Sequence, residues 1–451
     1  MNAIIEPSAR RLSGFVMAQP SKNYTTRRLL AAGLARGSSL VRNVATSDDA
    51  AAMRRALEAF GARIESSSSR PAAGADSGTS LVVHGFGGHP RLAAPGPVDA
   101  GNAGAVLRFI LGIGALLPEV SFITGFPQSL GKRPNSDLLD ALEQMGCRTE
   151  SRGGCLPITL RGGGLRGGKV SVNGANSSQF VSSLLFLAPL VGEPVDISVT
   201  GKLVSKAPVR QTLETLRAAG ISINADDDLM RFHIEPGEYR SRDFTVNGDW
   251  PGSTALLAAA AAVAGSEIQI GGLYQDAQGE RAAADALERM GARVEHIGGA
   301  PPAVRLRAGV LRGVEFDGDT ATDAVLALAG AACFARGRSR FYNIANLRIK
   351  ECDRISEPVA EMRKIGVRCW EGRELDDPDP DAMIIEGNPD GYEGGIEADG
   401  RGDHRVIMLL TIIGLGCRRG LTVRGAEHIS KSYPDFFRHL EILGANLLLR
   451  P

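Results

Sequence analysis

Aromatic side chains are sparse in this sequence, at 5% of the chain with only two tryptophans, which argues against a core built on stacked rings. Cysteine is sparse too. The six residues Cys147, Cys155, Cys333, Cys352, Cys369 and Cys417 form no Cys-x-x-Cys pair and no Cys/His cluster at metal spacing, so reduced, partly buried thiols are expected in place of a disulfide framework or a zinc site. Neither sign of charge is in excess, with 51 Lys and Arg standing against 51 Asp and Glu. This balance removes any global electrostatic case for binding nucleic acid or an anionic membrane, while leaving local basic sites open. Long apolar runs are missing: stretches such as ALLAAAAAVAG at 255–265 fall short of the roughly 18–20 residues that span a bilayer. The N-terminal MNAIIEPSARR has no apolar signal core, so a cytoplasmic protein is expected.

Glycine is plentiful, at 56 of 451 residues, which favours tight turns and close helix packing. A hydrophobic fraction of 43% is ordinary for a globular protein, and the length asks for two or three domains at roughly 100–200 residues each. A repeat is visible in the helix ends. A helical stretch, then Gly, then a small or β-branched residue opening a strand recurs as ALEAFGARIE, ALEQMGCRTE, TLRAAGISI, ALERMGARVE, EMRKIGVRC and HLEILGANL, with the glycines at 61, 146, 220, 291, 366 and 444. Gly after the last helical turn is a common cap, but six copies at near-even spacing predict six units of similar size. Each unit combines an Ala/Leu-rich helix with Gly-bounded strands such as SLVVHGF, PITLRGG, VRLRAG and MIIEGN, an α/β pattern of repeated β–α–β units. The stretch SSSSRPAAGADSG at 66–78 reads as a surface loop.

Several short stretches gather cations and small polar residues at predicted strand-to-helix turns, where an anion can meet backbone N–H groups and side chains together. In PSKNYTTR, Asn23 and Arg27 stand at i and i+4 on one helix face, with Lys22 at the turn before them. GNAGAVLR places Gly104 at a helix start, and GFPQSLGKRP carries Arg133, a candidate for a bidentate grip on carboxylate or phosphate. Ser177, Ser178 and Gln179 offer two hydroxyls and an amide at a helix N-terminus. Read singly, each of these is equally a capped helix start with solvated charges. The last third is denser: Thr322-Asp323-Ala324, NLRIKECDR at 346–354, Asp403-His404-Arg405 and Lys431 all adjoin strongly apolar helices, where solvated charge runs are uncommon.

Taken in order, SKNYTTR, SDDA, GNAG, KRP, SSQF, VSK, GDWPGS, TDA, NLRIKECDR, DHR and SKSYPDFF resemble the enolpyruvyl transferases, and within them the 5-enolpyruvylshikimate-3-phosphate synthase family, over nearly the whole chain. The resemblance implies an α/β fold, a two-domain inside-out α/β barrel of six β-α-β-α-β-β units, three per domain. One domain would comprise 1–20 with 247–451 and the other 21–246, and the active site would lie in the cleft between them. It implies transfer of the carboxyvinyl group of phosphoenolpyruvate to the 5-hydroxyl of shikimate 3-phosphate, with release of phosphate. The partners expected are these two small molecules, with no cofactor, no metal, no nucleic acid and no membrane, and a monomer is expected.

By the same resemblance, shikimate 3-phosphate meets Lys22, Asn23, Arg27, Ser177, Ser178, Gln179, Ser205, Asp323, Asn346 and Lys350. Phosphoenolpyruvate meets Lys22, Gly104, Arg133, Gln179, Arg354, Arg405 and Lys431. Asp323 accepts the 5-hydroxyl proton, Glu351 and His404 serve the proton movements at the methylene carbon, Lys22 completes the catalytic set, and Asp49 is a structural or supporting residue. Four positions depart from the family pattern: Asn23 replaces a usual Ser, Ala105 a Thr and Phe109 a Pro, and the Tyr that usually follows the Ser-Lys-Pro segment is absent from Ser205-Lys206-Ala207-Pro208-Val209. Lys22-Asn23 is how the sister enzymes acting on a UDP-amino sugar begin, but their reactive Cys falls here on Gln128. An enolpyruvyl transferase acting on another hydroxyl acceptor and a non-catalytic binding protein on the same fold are the remaining alternatives.

Overall fold

Helix termination organises the chain. In the computed structural model, which describes residues 1–7, 11–67 and 79–451, all six signature glycines adopt positive φ, 98° at Gly61, 97° at Gly146, 84° at Gly220, 115° at Gly291, 95° at Gly366 and 97° at Gly444. A side chain at such a position is strained, and Gly lets the chain reverse into the next strand. The stretch read as a surface loop lies, from 68 to 78, outside the described residues.

The cost of replacing these glycines depends on what surrounds them. A Cβ at Gly366 meets nothing within 4 Å, whereas one at Gly291 lands 2.5 Å from the Val310 carbonyl oxygen. Gly366→Ala is therefore expected to lose about 1–2 kcal/mol of stability from left-handed strain alone, and Gly291→Ala distinctly more. Equal losses in chemical denaturation would contradict the assignment of the extra cost to backbone crowding.

Among the described residues, six four-stranded sheets share one topology. In the sheet of Val98–Asp99, Val120–Ile123, Arg148–Arg152 and Cys155–Arg161, the first strand runs parallel to the second, the second antiparallel to the fourth, and the fourth antiparallel to the third. Helices Gly104–Gly114 and Ser136–Gln144 fall after the first and second strands, so each unit reads β–α–β–α–β–β.

The chain divides into two units, Pro20–Val246 and Met1–Gln19 with Asn247–Pro451, and each holds three sheets. Pro20 counts with the first of these rather than with the N-terminal strands. Each unit completes its sheets by drawing on distant chain. Phe244–Thr245 pairs with Arg36–Val44 in the first unit. In the second, Asn2–Ile5 lies between Leu421–Arg424 and Leu447–Arg450, and Ser13–Met17 pairs parallel with Glu267–Gly271.

Each unit also has its own apolar core. In the discontinuous unit, helices Trp250–Ala262, Val325–Ala332 and His404–Gly416 are buried almost all round and pack on one another, as helices apolar on every face must. Small residues allow the approach: a Cβ at Gly330 would stand 2.9 Å from Ile412. The helices preceding the signature glycines, such as Ala282–Met290, alternate buried and exposed positions. The starts of the buried helices are thus the places where the polar motifs sit. Among the described residues no helix is long and apolar enough to cross a membrane.

Candidate active site

In the Pro20–Val246 unit, Ser21 caps helix Lys22–Leu34, its hydroxyl accepting from the Tyr24 amide at 3.4 Å. The cap holds Lys22 at the helix mouth, with Nζ 3.1 Å from Asp49 Oδ2. Asp49, read from the sequence as a supporting residue, therefore positions Lys22. One turn further on, Arg27 is 1% exposed. Its Nε donates to Thr212 Oγ1 at 2.9 Å, Nη1 to the Asn23 carbonyl at 3.1 Å and Nη2 to the Pro208 carbonyl at 3.0 Å, and its guanidinium lies 5.2 Å from the centre of the Phe109 ring. Burial pulls its pKa down to about 10 against an opposing contribution from Tyr24, so it stays charged at neutral pH. These bonds tie Arg27 to the segment that follows Ser205.

Gly104 opens helix Gly104–Gly114. A Cβ there would lie 2.9 Å from Arg133 Nη1 and 3.6 Å from Arg108 Nη1, so glycine lets the Arg133 guanidinium lie close against the helix start. Two buried cations on one helix start repel each other and favour an anion between or beside them. Arg108 also donates from Nη1 to Gln179 Oε1 at 2.6 Å and from Nε to Asn135 Oδ1 at 3.3 Å. Arg108 thus links the Gly104 turn to Ser177-Ser178-Gln179, where Ser177 caps the next helix through the Gln179 amide and Ser178 is buried. Ser205 has φ 52° at the start of helix Lys206–Ala218, a left-handed conformation costing about 1–3 kcal/mol for a residue with a side chain.

In the other unit a chain of ion pairs centres on Arg354. Its guanidinium pairs with Asp403 Oδ2 at 2.7 Å, Glu351 Oε2 at 2.7 Å and Asp323 Oδ1 at 3.1 Å. Burial works against this charge, but Asp403, Glu351 and Asp323 together raise its proton affinity above the ordinary guanidinium range. Lys431 Nζ lies 2.8 Å from the other Glu351 oxygen. Arg405 Nη2 lies 3.7 Å from Asp323 Oδ2, and its Nη1 donates to the Pro251 carbonyl at 3.1 Å. The starts of the three buried helices therefore meet at Asp323 and Arg405. Asp403 caps the last of them by accepting from the Arg405 amide at 2.8 Å.

The sequence model of the EPSP synthase (3-phosphoshikimate 1-carboxyvinyltransferase) family matches residues 7–440. The chain belongs to the EPSP synthase family. A 3-phosphoshikimate 1-carboxyvinyltransferase of Deinococcus radiodurans is 46% identical over 447 residues, covering 98% of this chain and 96% of the relative. Another, from Methanothermobacter thermautotrophicus, is 37% identical over 453 residues and all of both chains. Among solved structures, EPSP synthase from Acinetobacter baumannii aligns over all of both chains with a TM-score of 0.79 at 22% identity. The enolpyruvyl transferase NikO from Streptomyces tendae aligns over 99% of this chain and 98% of its own, at 0.76 and 19%. Both share the two-domain α/β fold.

The remaining expected residues of this EPSP synthase family member gather on the Arg354 side. Asn346 is buried on the turn Ala345–Ile349, just before Lys350. That segment is anchored by Arg348, which pairs with Asp353 at 2.9 Å and with Glu371 and Asp381 at 2.6 Å each. His404 is buried, with Nδ1 3.9 Å from Asp403 Oδ1, beyond hydrogen-bonding distance. Two contributors had no assigned role in the sequence reading. Arg108 could have been found as the residue one turn after Gly104 on the same face, and Asp403 as the cap before Arg405. Cys352 sits beside Asp403, and burial together with that carboxylate pushes its thiol pKa up, which leaves it a poor nucleophile.

Proposed function

We propose that this protein transfers the carboxyvinyl group of phosphoenolpyruvate to the 5-hydroxyl of shikimate 3-phosphate and releases phosphate, as a cytoplasmic monomer acting on two small molecules. Family membership over nearly the whole chain supports the reaction. The observation that carries the site is Asp323 held between Arg354 and Arg405, with Glu351 between Arg354 and Lys431. Cations bind the carboxylate and phosphate of one substrate there, while the carboxylates they hold remain available for proton transfer.

In the proposed sequence Glu351, in its protonated form, delivers a proton to the methylene carbon of phosphoenolpyruvate, while Lys22 faces the same substrate. The adjacent carbon becomes electrophilic, Asp323 takes the proton of the 5-hydroxyl, and the oxygen adds to that carbon. The methyl group so formed then returns a proton to the protein, and the carbon–oxygen bond to phosphate breaks as the double bond reforms. Arg354, Arg405, Lys431 and Arg133 stabilise the charge on the carboxylate and the leaving phosphate from fixed positions. Lys22, Asn23, Arg27, Ser177, Ser178, Gln179, Ser205, Asn346 and Lys350 hold shikimate 3-phosphate, and Gly104 gives phosphoenolpyruvate access to the helix start. His404, buried beside Asp403, supports the proton movements through its neighbours.

Phosphate release is expected only when phosphoenolpyruvate and shikimate 3-phosphate are both supplied, and it should persist in excess chelator because side-chain cations carry the charge. Asn23 is the one position that favours the UDP-amino sugar reading, so UDP-N-acetylglucosamine belongs in the same assay as acceptor. Release with that sugar and none with shikimate 3-phosphate would overturn the proposal.

A further inference from the structure

Glu280 lies outside every motif considered above. It sits on the turn Gly279–Arg281, which packs against the turn Thr322–Ala324 carrying Asp323 and against helix Trp250–Ala262. Gln278 fixes this turn from within: its Oε1 accepts from the Trp250 amide at 3.1 Å and its Nε2 donates to the Gly248 carbonyl at 2.9 Å. Glu280 is only 8% exposed. The charged groups facing it are Asp323, Arg405 and Asp249, the cap of helix Trp250–Ala262, while Arg281 and Asp285 on its own stretch of chain are exposed to solvent.

We propose that Glu280 is a positioning residue for the anion site, a buried carboxyl whose charge state sets how strongly Arg405 and Arg354 hold phosphoenolpyruvate. This rests on the reading that those arginines bind that substrate. Burial raises the Glu280 pKa to about 7, with repulsion from Asp323 and Asp249 adding to it and Arg405 opposing. Below that pH Glu280 is protonated and the arginines present more net positive charge. Above it the Glu280 carboxyl ionises near Arg405, and attraction for an incoming anion falls. Conversely, a bound anion favours protonated Glu280, so binding takes up a proton.

Glu280→Gln removes the titrating charge while keeping shape, and Glu280→Asp retains an ionisable carboxyl. In steady-state assays with saturating shikimate 3-phosphate, the wild-type KM for phosphoenolpyruvate is expected to rise as pH passes about 7, by at most about tenfold per pH unit for one linked proton. In Glu280→Gln this rise is lost, and in Glu280→Asp it persists. The substrate's own phosphate titration is common to all three proteins. A parallel KM profile in wild type and Glu280→Gln would overturn the proposal. Should Glu280→Gln not fold, carboxyl NMR of glutamate-labelled wild type tests it directly: one resonance should titrate near pH 7 and shift to higher pH when phosphoenolpyruvate is added, and no glutamate titrating there would overturn it. Failure of the underlying reading looks different, because wild type would then release no phosphate from the two substrates at any pH.

Discussion

Asp323→Asn is expected to lower turnover by about 10²–10⁴-fold, the usual worth of a positioned general base, with a much smaller change in KM for either substrate. The carboxylate is held by Arg354 at 3.1 Å and lies 3.7 Å from Arg405, so its position is set by two cations on separate helix starts. Asparagine preserves that shape and can accept a hydrogen bond, but it cannot take the proton of the attacking hydroxyl. A loss confined to the chemical step should appear in single-turnover experiments as well as in kcat. Near wild-type turnover with an unchanged circular dichroism spectrum would mean that another group takes the proton.

Arg354→Met should be the most destabilising single change at the site. It leaves Asp403, whose side chain is fully buried, Glu351, at 7% side-chain exposure, and the partly buried Asp323 without their shared cation. Removing one partner of a buried ion pair costs about 3–5 kcal/mol, because the other charge is left without compensation in a poorly polarisable interior. The penalty follows ionisation: it should be largest near neutral pH and shrink as pH is lowered toward the carboxylate range, since protonation removes the stranded charges. Denaturant melts of wild type and variant at two pH values check both size and sign. A loss that is small, or unchanged by pH, would show that Lys431 and Arg405 compensate the three carboxylates by themselves.

The fold was legible where it depends on neighbours in the chain. Gly61, Gly146, Gly220, Gly291, Gly366 and Gly444 were readable as helix ends because a reversal after the last turn needs positive φ, and all six have it. Strand membership was not readable in the same way. Asn2–Ile5 pairs with Leu421–Arg424 and Leu447–Arg450, and nothing local to residues 2–5 names partners at the other end of the chain. The placement of these strands depends on two open sheets that each lack one member.

At the site, residue types and their order in the sequence singled out the cations and carboxylates proposed for the chemistry: Lys22, Arg133, Asp323, Glu351, Arg354, Arg405 and Lys431 were all legible as candidates before any coordinates. Tertiary structure alone decided how they are held. Asp49 turns toward Lys22, Arg108 bridges to Gln179, and Asp403 both caps a helix and pairs with Arg354. It also decided the character of Glu280, which no sequence motif singles out and whose pKa burial near Asp323 raises to about 7. Local backbone preference and side-chain chemistry belong to the residues themselves and survive in a string of letters. Distance, burial and the electrostatic response of the surroundings arise only when remote segments pack together, and they set the proton affinity of the carboxylates and the grip of the arginines.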